Sequence, residues 1–384
     1  MNTSWSCKST SIWDENFFED FVLLQNRLHI NISHHVLEDT KDFKVLFGPN
    51  GIFNASFSWR AFLVYSRNNI PVARFLLSAP KSRSKQNFLA FGYFESVKDE
   101  NLLTSLQREI TDQLSLWKRD QNELKSVKAP LDVHFFKGYR MKATSLGPSF
   151  YGEPQNLDYY PHFFASLGFH VSGTWESLKI TEETARQHFL PFWEKMKPRW
   201  QREGIAIRRV NLKRWPEELK HLFELIVDSY QNMQAFAPIK FETFKSLYAD
   251  YRPLIDSRYF LFASREGEDL GFLIGLRDPL EALCTLQHRC TRWPWFSPLW
   301  KLLALKKARK SKRLLVFYVG KKTKDRRALW LVPSLGAACY QNAIQAGIRE
   351  ATICYLASDS PARVGLPKGL PITATYTLYE KNLI

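Results

Sequence analysis

The residues best suited to chemistry lie between Arg313 and Leu356, where an apolar strand-like run, RLLVFYVG, precedes a cationic segment, KKTKDRRA. A helix-compatible stretch ending at Gly347 and a second apolar run, ATICYL, come next. A strand that leads through a basic loop into a helix N-terminus gathers backbone N–H donors, the positive end of the helix dipole and Lys/Arg side chains. This order of elements predicts a site for a polyphosphate. The stretch contains no recognisable catalytic residue.

Positive charge is concentrated around this stretch. The chain has 54 Lys and Arg against 38 Asp and Glu, a net charge of +16. Residues 301–327 hold twelve of these cations and one acid, Asp325, so they account for +11 and the other 357 residues for +5. A local patch steers anionic partners within a Debye length of about 8–10 Å. The candidates are a nucleotide cofactor, an acidic carrier protein, RNA or a lipid surface, and a solvated basic helix is the alternative.

The composition is that of an ordinary globular protein of 384 residues, long enough for two domains of about 190 residues each. Five cysteines without paired CxxC spacing predict neither a disulfide framework nor a zinc site, and we expect no metal. The acidic N-terminus lacks the apolar core of a signal peptide, and no apolar run approaches the ~18–20 residues of a spanning helix. We therefore expect a cytoplasmic protein without a membrane partner.

The two halves of the chain show the same order of elements: hairpin, strand, helix, strand and closing strand. The first half has a hairpin in 55–78, strands at 88–94 and 131–136, a helix at 101–117, a short helix ending at Gly168 and a strand at 171–180. The second half has a hairpin at 258–264 and 271–278, strands at 313–320, 351–356 and 373–379, and a helix ending before Gly347. We place the boundary between residues 180 and 181, which gives domains of 1–180 and 181–384.

Short strings along the chain add to the element order. In the first half they are FGYFES (91–96), GPSF (147–150) and YYPHFFASLGF (159–169). In the second half they are GFLIGLRDP (271–279), PLWKLLALKKARKSKRLLVFYVG (298–320) and TYTLYEK (375–381). With the element order, these strings make the chain resemble the Gcn5-related N-acyltransferase (GNAT) superfamily, and more closely bacterial proteins that have two GNAT-like domains in tandem. The resemblance implies an α/β (α+β) fold in which each domain has a mixed, mostly antiparallel, twisted sheet flanked by helices.

The resemblance also implies an acyl-CoA site in the C-terminal domain. In this superfamily the CoA pyrophosphate binds a loop of type Q/R-x-x-G-x-G/A between the fourth strand and the next helix, where glycines let backbone amides approach closely. Two registers are open. In the preferred one, KKTKDRRA (321–328) is the loop and its helix reaches Gly347 in about five turns. In the other, VPSLGAA (332–338) offers Gly336 and Ala338 at the glycine positions.

The preferred register puts Arg327 and Ala328 where glycines are usual, so side-chain charge would replace some of the backbone contacts. The implied co-substrate is acetyl-CoA or another acyl-CoA. Its expected binding residues are Val319, Lys321, Lys322, Thr323, Lys324, Arg326, Arg327 and Ala328.

The N-terminal domain has acidic residues at the corresponding place. Its strand ends at Glu95 and Ser96, and Asp99 and Glu100 follow where the next helix begins. Carboxylates at this position satisfy the positive end of the helix dipole and repel phosphate. We therefore predict no CoA site in this half and expect it to shape the substrate site or to pack against the other half.

The catalytic residue is unknown from the sequence, and the three candidates are Tyr318, Asp278 and Glu281. By resemblance, the fourth strand aligns the thioester for direct transfer to an amine, and backbone amides near Tyr318 and Val319 stabilise the oxyanion. A carboxylate or an ordered water takes the proton of the amine. Asp278 and Glu281 are candidates for this role, with surface or capping roles as the alternatives. The superfamily often has an Asn and a Tyr after the fifth strand, and the matching stretch, 358–370, has no Tyr.

The segment SPLWKLLALKKARKSKR (297–313) combines Trp and Leu with a dense cationic end. Such a helix can bind an anionic membrane or an acidic partner. Because it lies inside a domain, we expect its Trp and Leu to face the core and its Lys and Arg to face solvent.

Three functions remain open. The first is an N-acyltransferase that moves an acyl group from a CoA or carrier thioester to a small-molecule or peptide amine. The second is acyl transfer from a charged tRNA, whose phosphates the basic segment 301–327 would fit. The third is a binding or scaffold protein that has this fold without the chemistry, since fold alone does not choose among functions.

Overall fold

The computed structural model describes residues 5–32, 36–81, 87–121, 123–292, 297–322 and 330–383. The strands are β1 Ser6–Thr10, β2 Phe57–Tyr65, β3 Pro71–Pro80, β4 Phe88–Ser96, β5 Ser126–Ala129, β6 Met141–Ser145, β7 His170–Thr181, β8 Ile205–Arg209, β9 Phe260–Arg265, β10 Glu268–Arg277, β11 Arg313–Lys321, β12 Glu350–Ala357 and β13 Ile372–Asn382.

The α-helices are α1 Glu15–His29, α2 Thr40–Phe47, α3 Glu100–Asp120, α4 Tyr160–Ser166, α5 Glu182–Thr184, α6 Leu190–Arg202, α7 Trp215–Tyr230, α8 Phe241–Tyr248, α9 Leu280–Arg292, α10 Ser297–Ala308 and α11 Leu331–Gln345. A π-helical turn, Ala185–Phe189, joins α5 to α6, and 3-10 turns lie at Leu212–Arg214, Ala249–Leu254 and Pro361–Arg363.

One mixed sheet runs through the whole molecule. Its strand order is β1-β2-β3-β4-β5-β13-β7-β12-β11-β10-β9-β8, and β6 pairs with β13 beside this path. Among the described strands, only β4 with β5 and β11 with β12 pair in parallel. The prediction of a mixed, mostly antiparallel sheet flanked by helices is confirmed.

The two halves of the chain exchange strands at the centre of this sheet. The last strand, β13, lies next to β5 of the first half, and β7 of the first half lies next to β12. β7 and β13 also pair with each other. The predicted boundary between residues 180 and 181 falls at the end of β7, so the halves that it separates share one sheet. As a domain boundary it stays a prediction.

Helices cover both faces of the sheet. On one face, a single core extends over both halves and includes side chains of α1, α2, α7 and α8, such as Phe18 and Phe244. On the other face, α3 and α4 cover the first half, and α6 and α11 cover the second. The sequence of α3 shows why it packs this way: its buried residues, at spacings of four, are Leu102, Leu106, Ile110 and Leu114.

The predicted strand at 131–136 is wrong. The strand in this region is β5, and Pro130 follows its last residue because proline has no N–H to continue the ladder. Residues 131–140 form a loop instead, closed by a bridge between Leu131 and Tyr139. The buried His134 bonds through Nε2 to the Ala237 carbonyl oxygen at 2.6 Å. The loop therefore joins the first half to the segment between α7 and α8.

Two helices, α9 and α10, are inserted between β10 and β11. α10 packs against its surroundings through Ala304 and Ala308. Leu299, Leu302 and Leu303 are exposed, so the expectation that the leucines of this segment face the core is wrong for these three. The small alanine side chains allow the helices to approach closely, and this contact leaves the larger side chains outside.

Candidate functional site

The most distinctive feature of the second half is a gap between β11 and β12. The two strands pair in parallel only from Arg313 to Val316, opposite Glu350 to Ile353. Both strands then continue, β11 to Lys321 and β12 to Ala357, without pairing to each other. A bulge at Phe317, where the pairing of β11 with β10 shifts register, accompanies the separation. The diverging strand ends leave room in the sheet for an inserted molecule.

The edge of β11 that faces the gap carries backbone hydrogen-bonding groups. The Lys322 N–H donates to the Leu270 carbonyl oxygen of β10, and strand pairing alternates, so Val319 and Lys321 face the gap. The Tyr230 hydroxyl donates to the Val319 carbonyl oxygen at 2.8 Å. The Ser229 hydroxyl donates to the Lys321 carbonyl oxygen at 2.9 Å. The end of α7 thus satisfies two carbonyl acceptors of this edge. The backbone N–H donors of the same edge, those of Val319 and Lys321, point into the gap.

Aromatic side chains surround the gap. Phe317 and Tyr318 come from β11 and Tyr355 from β12, and all three are half-buried. The Phe150 ring lies 5.5 Å from that of Tyr355 and 6.4 Å from that of Phe317, centroid to centroid. The Tyr355 hydroxyl donates to the Gly152 carbonyl oxygen at 2.6 Å. The walls are therefore largely apolar, and the loop at 148–153, from the first half of the chain, forms one of them.

A cation that pairs with no carboxylate among the described residues lies among these rings. The Arg140 guanidinium carbon is 3.7 Å from the centroid of Tyr139, 4.1 Å from that of Tyr355 and 5.1 Å from that of Trp175. Within the described residues its buried Nε has no hydrogen-bond partner. Its φ of +94° is an unusual conformation for a residue other than glycine. The aromatic faces offset part of the cost of burying this charge, and its hydrogen-bonding capacity remains open to a ligand.

Sequence reasoning missed Arg140. It belongs to the loop at 131–140 but lies beyond the strand predicted at 131–136, and it lies more than 170 positions before β11. The polar and aromatic string KGYR (137–140) gives no signal of its own. Only the strand exchange between the halves brings Arg140 to Tyr355 on β12.

The predicted phosphate end of the site lies at the N-terminus of α11. Lys321 ends β11 and Lys322 follows it, with the Lys322 ammonium paired to Glu268. Thr323, Lys324, Arg326, Arg327 and Ala328 lie outside the described residues. α11 begins at Leu331 with no side-chain cap at Trp330 and no acid in its first turn. Uncapped N–H groups at a helix N-terminus suit an anion.

The two predicted loop registers differ in their relation to α11. Residues 332–338, the loop of the alternative register, are helical throughout, so the loop predicted there is wrong. A Cβ added to Gly336 would meet no atom within 4 Å. In the preferred register, residues 321–328 precede the helix. The helix itself, α11, has 15 residues, which is about four turns, whereas we expected about five.

The first half has the same strand arrangement with its gap filled. β4 and β5 pair only over Phe88–Ala90, and the loop after β5 then covers β4. The Leu131 N–H donates to the Phe91 carbonyl oxygen at 2.9 Å, and the Tyr93 N–H donates to an Asp132 carboxylate oxygen at 2.7 Å. A Cβ on Gly92 would collide with the Leu131 carbonyl oxygen. The chain itself thus occupies the place that is open between β11 and β12.

The helix that follows β4 is also capped. The Asp99 carboxylate accepts the Leu102 N–H at 2.9 Å, and Glu100 lies in the first turn. The structure therefore gives Asp99 the helix-capping role that the sequence predicts. The absence of a CoA site from this half stays a prediction, and both the filled gap and the cap support it.

The catalytic candidates from the sequence are not brought together. Tyr318 lies at the gap, where burial raises its pKa to about 12 and the Tyr248 hydroxyl bonds to it. Asp278 lies beside Arg313 at the start of β11, about 16 Å from Tyr318 at ~3.3 Å per strand residue. There it accepts the Leu280 and Tyr151 N–H groups and lies 3.5 Å from Arg313. Burial raises the Asp278 pKa. Glu281 is exposed and pairs with Lys307 at 2.7 Å. As catalytic residues all three stay predictions.

Tyr376, another tyrosine near the gap, has a structural role. Its hydroxyl donates to a Glu153 carboxylate oxygen at 2.6 Å and bonds to Ser177 at 3.0 Å. The other Glu153 oxygen accepts from the Lys142 ammonium at 2.9 Å. This buried network fixes the loop that forms one wall of the gap. Within the described residues, no group of three His, Cys, Asp or Glu side chains is placed to hold a metal ion.

Comparison with known proteins agrees with this architecture. No protein-family model matches the chain. A tandem GNAT protein from the clavulanic acid biosynthesis pathway superposes with a TM-score of 0.52 at 11% identity, over 99% of this chain and 98% of that one. A GCN5-related glucosamine N-acetyltransferase region of a fungal multi-domain GH3 β-N-acetylglucosaminidase superposes with a TM-score of 0.54 at 10% identity, over 99% of this chain and 38% of that one.

One curated relative is similar in sequence. A bacterial ceramide synthase of Caulobacter vibrioides (strain NA1000 / CB15N) is 25% identical over 183 residues, 47% of each protein. The match thus spans about half the length of this relative. Together, the sheet order and the structural neighbours show that the chain has the tandem GNAT fold, which confirms the resemblance seen in the sequence.

Proposed function

We propose that this protein is an N-acyltransferase that binds an acyl-CoA between β11 and β12 and transfers the acyl group to an amine. The observation that carries the proposal is the gap itself. It lies between the fourth and fifth strands of the second half, it exposes the backbone edge of Val319 and Lys321, and the next described helix, α11, has no side-chain cap from Trp330. These features fit the thioester arm and the phosphates of a CoA substrate, respectively.

We further propose a long-chain acyl group as the transferred group. The aromatic walls of the gap, including Phe150, Phe317 and Tyr355, favour an apolar chain. The partial similarity to a ceramide synthase supports the same choice, because a ceramide is the amide of a fatty acid with a long-chain amine. The acceptor would then be a lipid amine.

The proposed reaction is direct transfer. The amine nitrogen attacks the thioester carbon, the C–S bond breaks, and the amine loses a proton to water. The backbone N–H groups of β11 that face the gap and the Arg140 guanidinium would stabilise the negative charge on the carbonyl oxygen. Because the raised pKa keeps the Tyr318 hydroxyl protonated at neutral pH, it would donate a proton to the leaving thiolate and then regain one from the water that took the proton of the amine.

Calorimetric titration with CoA, acetyl-CoA and palmitoyl-CoA, at low and moderate salt, tests the binding step. Micromolar binding that persists at moderate salt, and that is tighter for palmitoyl-CoA, is the expected result. An Arg326→Ala/Arg327→Ala variant should bind all three more weakly, since it removes charge from the predicted phosphate loop. Absence of binding by the unmodified protein would contradict the proposal.

Three substitutions at two residues test the chemical step in a thiol-release assay with palmitoyl-CoA and a long-chain amine. Tyr318→Phe removes only a hydroxyl and should lower turnover on the order of 100-fold. Arg140→Gln should lower turnover by a similar factor, and Arg140→Lys should restore part of it. Palmitoyl-CoA affinity should stay within about twofold in all three variants. Loss of affinity in parallel with turnover would assign both residues to packing of the gap walls.

A further inference from the structure

The outward face of α10 carries leucines and lysines whose arrangement is unusual for a helix inside a domain. At 100° per residue, Leu299, Leu302, Leu303 and Lys306 fall within about 100° of one another, and Lys310 lies in the turn that follows the last helical residue, Ala308. We call these five residues the Leu–Lys face. The leucines are at its N-terminal end, and the lysines are one to two turns further along. The face is therefore apolar at one end and cationic at the other.

The Leu–Lys face is turned away from the protein. Leu299, Leu302 and Leu303 are 48%, 50% and 37% exposed. The opposite side of the helix holds Ala304 and Ala308, which are buried against α9 and its neighbours. A surface helix normally buries its leucines and exposes its small residues. Contiguous exposed apolar side chains with a polar rim mark an interaction surface.

The charge around this face shows what it can bind. Ion pairs within the described residues hold Lys307, bonded to Glu281 at 2.7 Å, whereas Lys306 and Lys310 form none. Twelve of the 54 Lys and Arg residues lie in 301–327, with one acid. A second copy of the same face would repel this one, because both carry the same concentrated positive charge. The partner is therefore anionic.

The leucines decide between the kinds of anionic partner. RNA offers phosphates and stacked bases, for which lysines and aromatic rings are suited and aliphatic side chains are not. An anionic bilayer offers both an apolar layer for leucines and headgroup phosphates for lysines, whose long stems let the ammonium groups reach the headgroups. None of the described helices has the length and hydropathy to cross a membrane.

We propose that the Leu–Lys face binds the surface of an anionic phospholipid membrane. This reverses the expectation from the sequence that the protein has no membrane partner. The reason is that exposure of the leucines depends on how α10 packs, which the sequence does not reveal. The proposal does not depend on the acyltransferase function, since it rests on a surface outside the gap.

Co-sedimentation of the full chain with lipid vesicles tests this proposal. The vesicles are phosphatidylcholine alone or phosphatidylcholine with 30% phosphatidylglycerol, a composition chosen to make the surface anionic. The unmodified protein should bind the anionic vesicles at least 10-fold more tightly than the neutral ones. The variant Leu299→Ser/Leu302→Ser/Leu303→Ser should lose at least 10-fold in affinity for the anionic vesicles, as should Lys306→Glu/Lys310→Glu.

A matched control separates this face from general surface hydrophobicity. Ile12, Leu23 and Leu146 are also exposed, at 73%, 53% and 69%, and their replacement by Ser should leave vesicle binding unchanged. Unchanged circular dichroism and melting temperature verify that each variant is folded. The proposal is overturned if the unmodified protein does not bind anionic vesicles, or if the leucine variant binds them as well as the unmodified protein. Binding of bulk tRNA that depends on the lysines, without vesicle binding, would assign the face to RNA instead.

Discussion

The two parallel strand pairs of this protein, β4 with β5 and β11 with β12, are built alike and surrounded differently. Each pair separates after three or four residues of pairing. In the first half, Leu131 and Asp132 fill the space and bond to β4, and Asp99 caps the next helix. In the second half, the space has aromatic walls, and within the described part of the chain the next helix has no side-chain cap. One loop and one capping residue thus distinguish a filled copy of the fold from an open one.

The largest expected effect is on the filled gap. Gly92→Ala places a Cβ against the Leu131 carbonyl oxygen, so β4 and the loop at 131–140 must move apart. We expect the free energy of unfolding, measured by urea denaturation, to fall by about 3 kcal/mol. The acyl-CoA affinity of the folded variant should not change. A stability equal to that of the unmodified protein would mean that the loop is not packed against β4 in solution.

The next effect concerns His134, which lies in the same loop. Burial lowers its pKa to about 4, against ~6.5 in an unfolded chain. As the pH falls from 6.5 to 4, the unfolded chain takes up a proton that the folded protein does not, so His134 lowers the free energy of unfolding progressively over this window. Its contribution is complete near pH 4 and absent above pH 6.5.

The variant His134→Gln isolates this contribution. Glutamine keeps an N–H donor for the Ala237 carbonyl oxygen and does not titrate. Between pH 7 and 4.5, the free energy of unfolding of the variant relative to the unmodified protein should rise by about 2–3 kcal/mol. Urea denaturation at four pH values measures the difference, in which other titrating groups cancel. A difference that does not vary with pH would contradict the buried, neutral state of His134.

A smaller effect is expected from exchanging the helix caps of the two halves. Trp330→Asp gives α11 the acidic cap that Asp99 gives α3, and it should weaken acyl-CoA binding about 10-fold through repulsion of the phosphates. Trp330→Asn is the matched control, since it caps the helix without charge. Asp99→Asn should leave the affinity unchanged. Equal losses in Trp330→Asp and Trp330→Asn would show that Trp330 itself, and not charge, matters to binding.

The smallest effect is expected at Gly336, inside α11. Gly336→Ala fills open space in a helix interior and should raise the free energy of unfolding by about 0.5–1 kcal/mol. Calorimetry should find the acyl-CoA affinity unchanged. A large loss of affinity would restore 332–338 as the phosphate-binding segment in place of 321–328.

Much of the fold could be predicted from the sequence, because local patterns determine the elements. The hairpin in 55–78, the helix at 101–117 and the strands at 313–320 and 351–356 all appear in the structure close to their predicted positions. The strand predicted at 131–136 failed because alternating apolar residues can also pack a loop into a core, and Pro130 marks the difference. The exposed leucines of α10 were missed because the periodicity of a helix does not tell which of its faces the neighbouring helix covers.

By itself, the sequence determined the tandem arrangement of elements, the concentration of charge in 301–327 and the acidic start of α3. These are properties of residue type and spacing along the chain. Only the tertiary structure decided that the halves exchange β7 and β13, that the β4/β5 gap is filled while the β11/β12 gap is open, and that Arg140 lies against Tyr355. The physical reason is that each of these features depends on contacts between residues distant in the chain, and such contacts leave no periodic or compositional pattern to read.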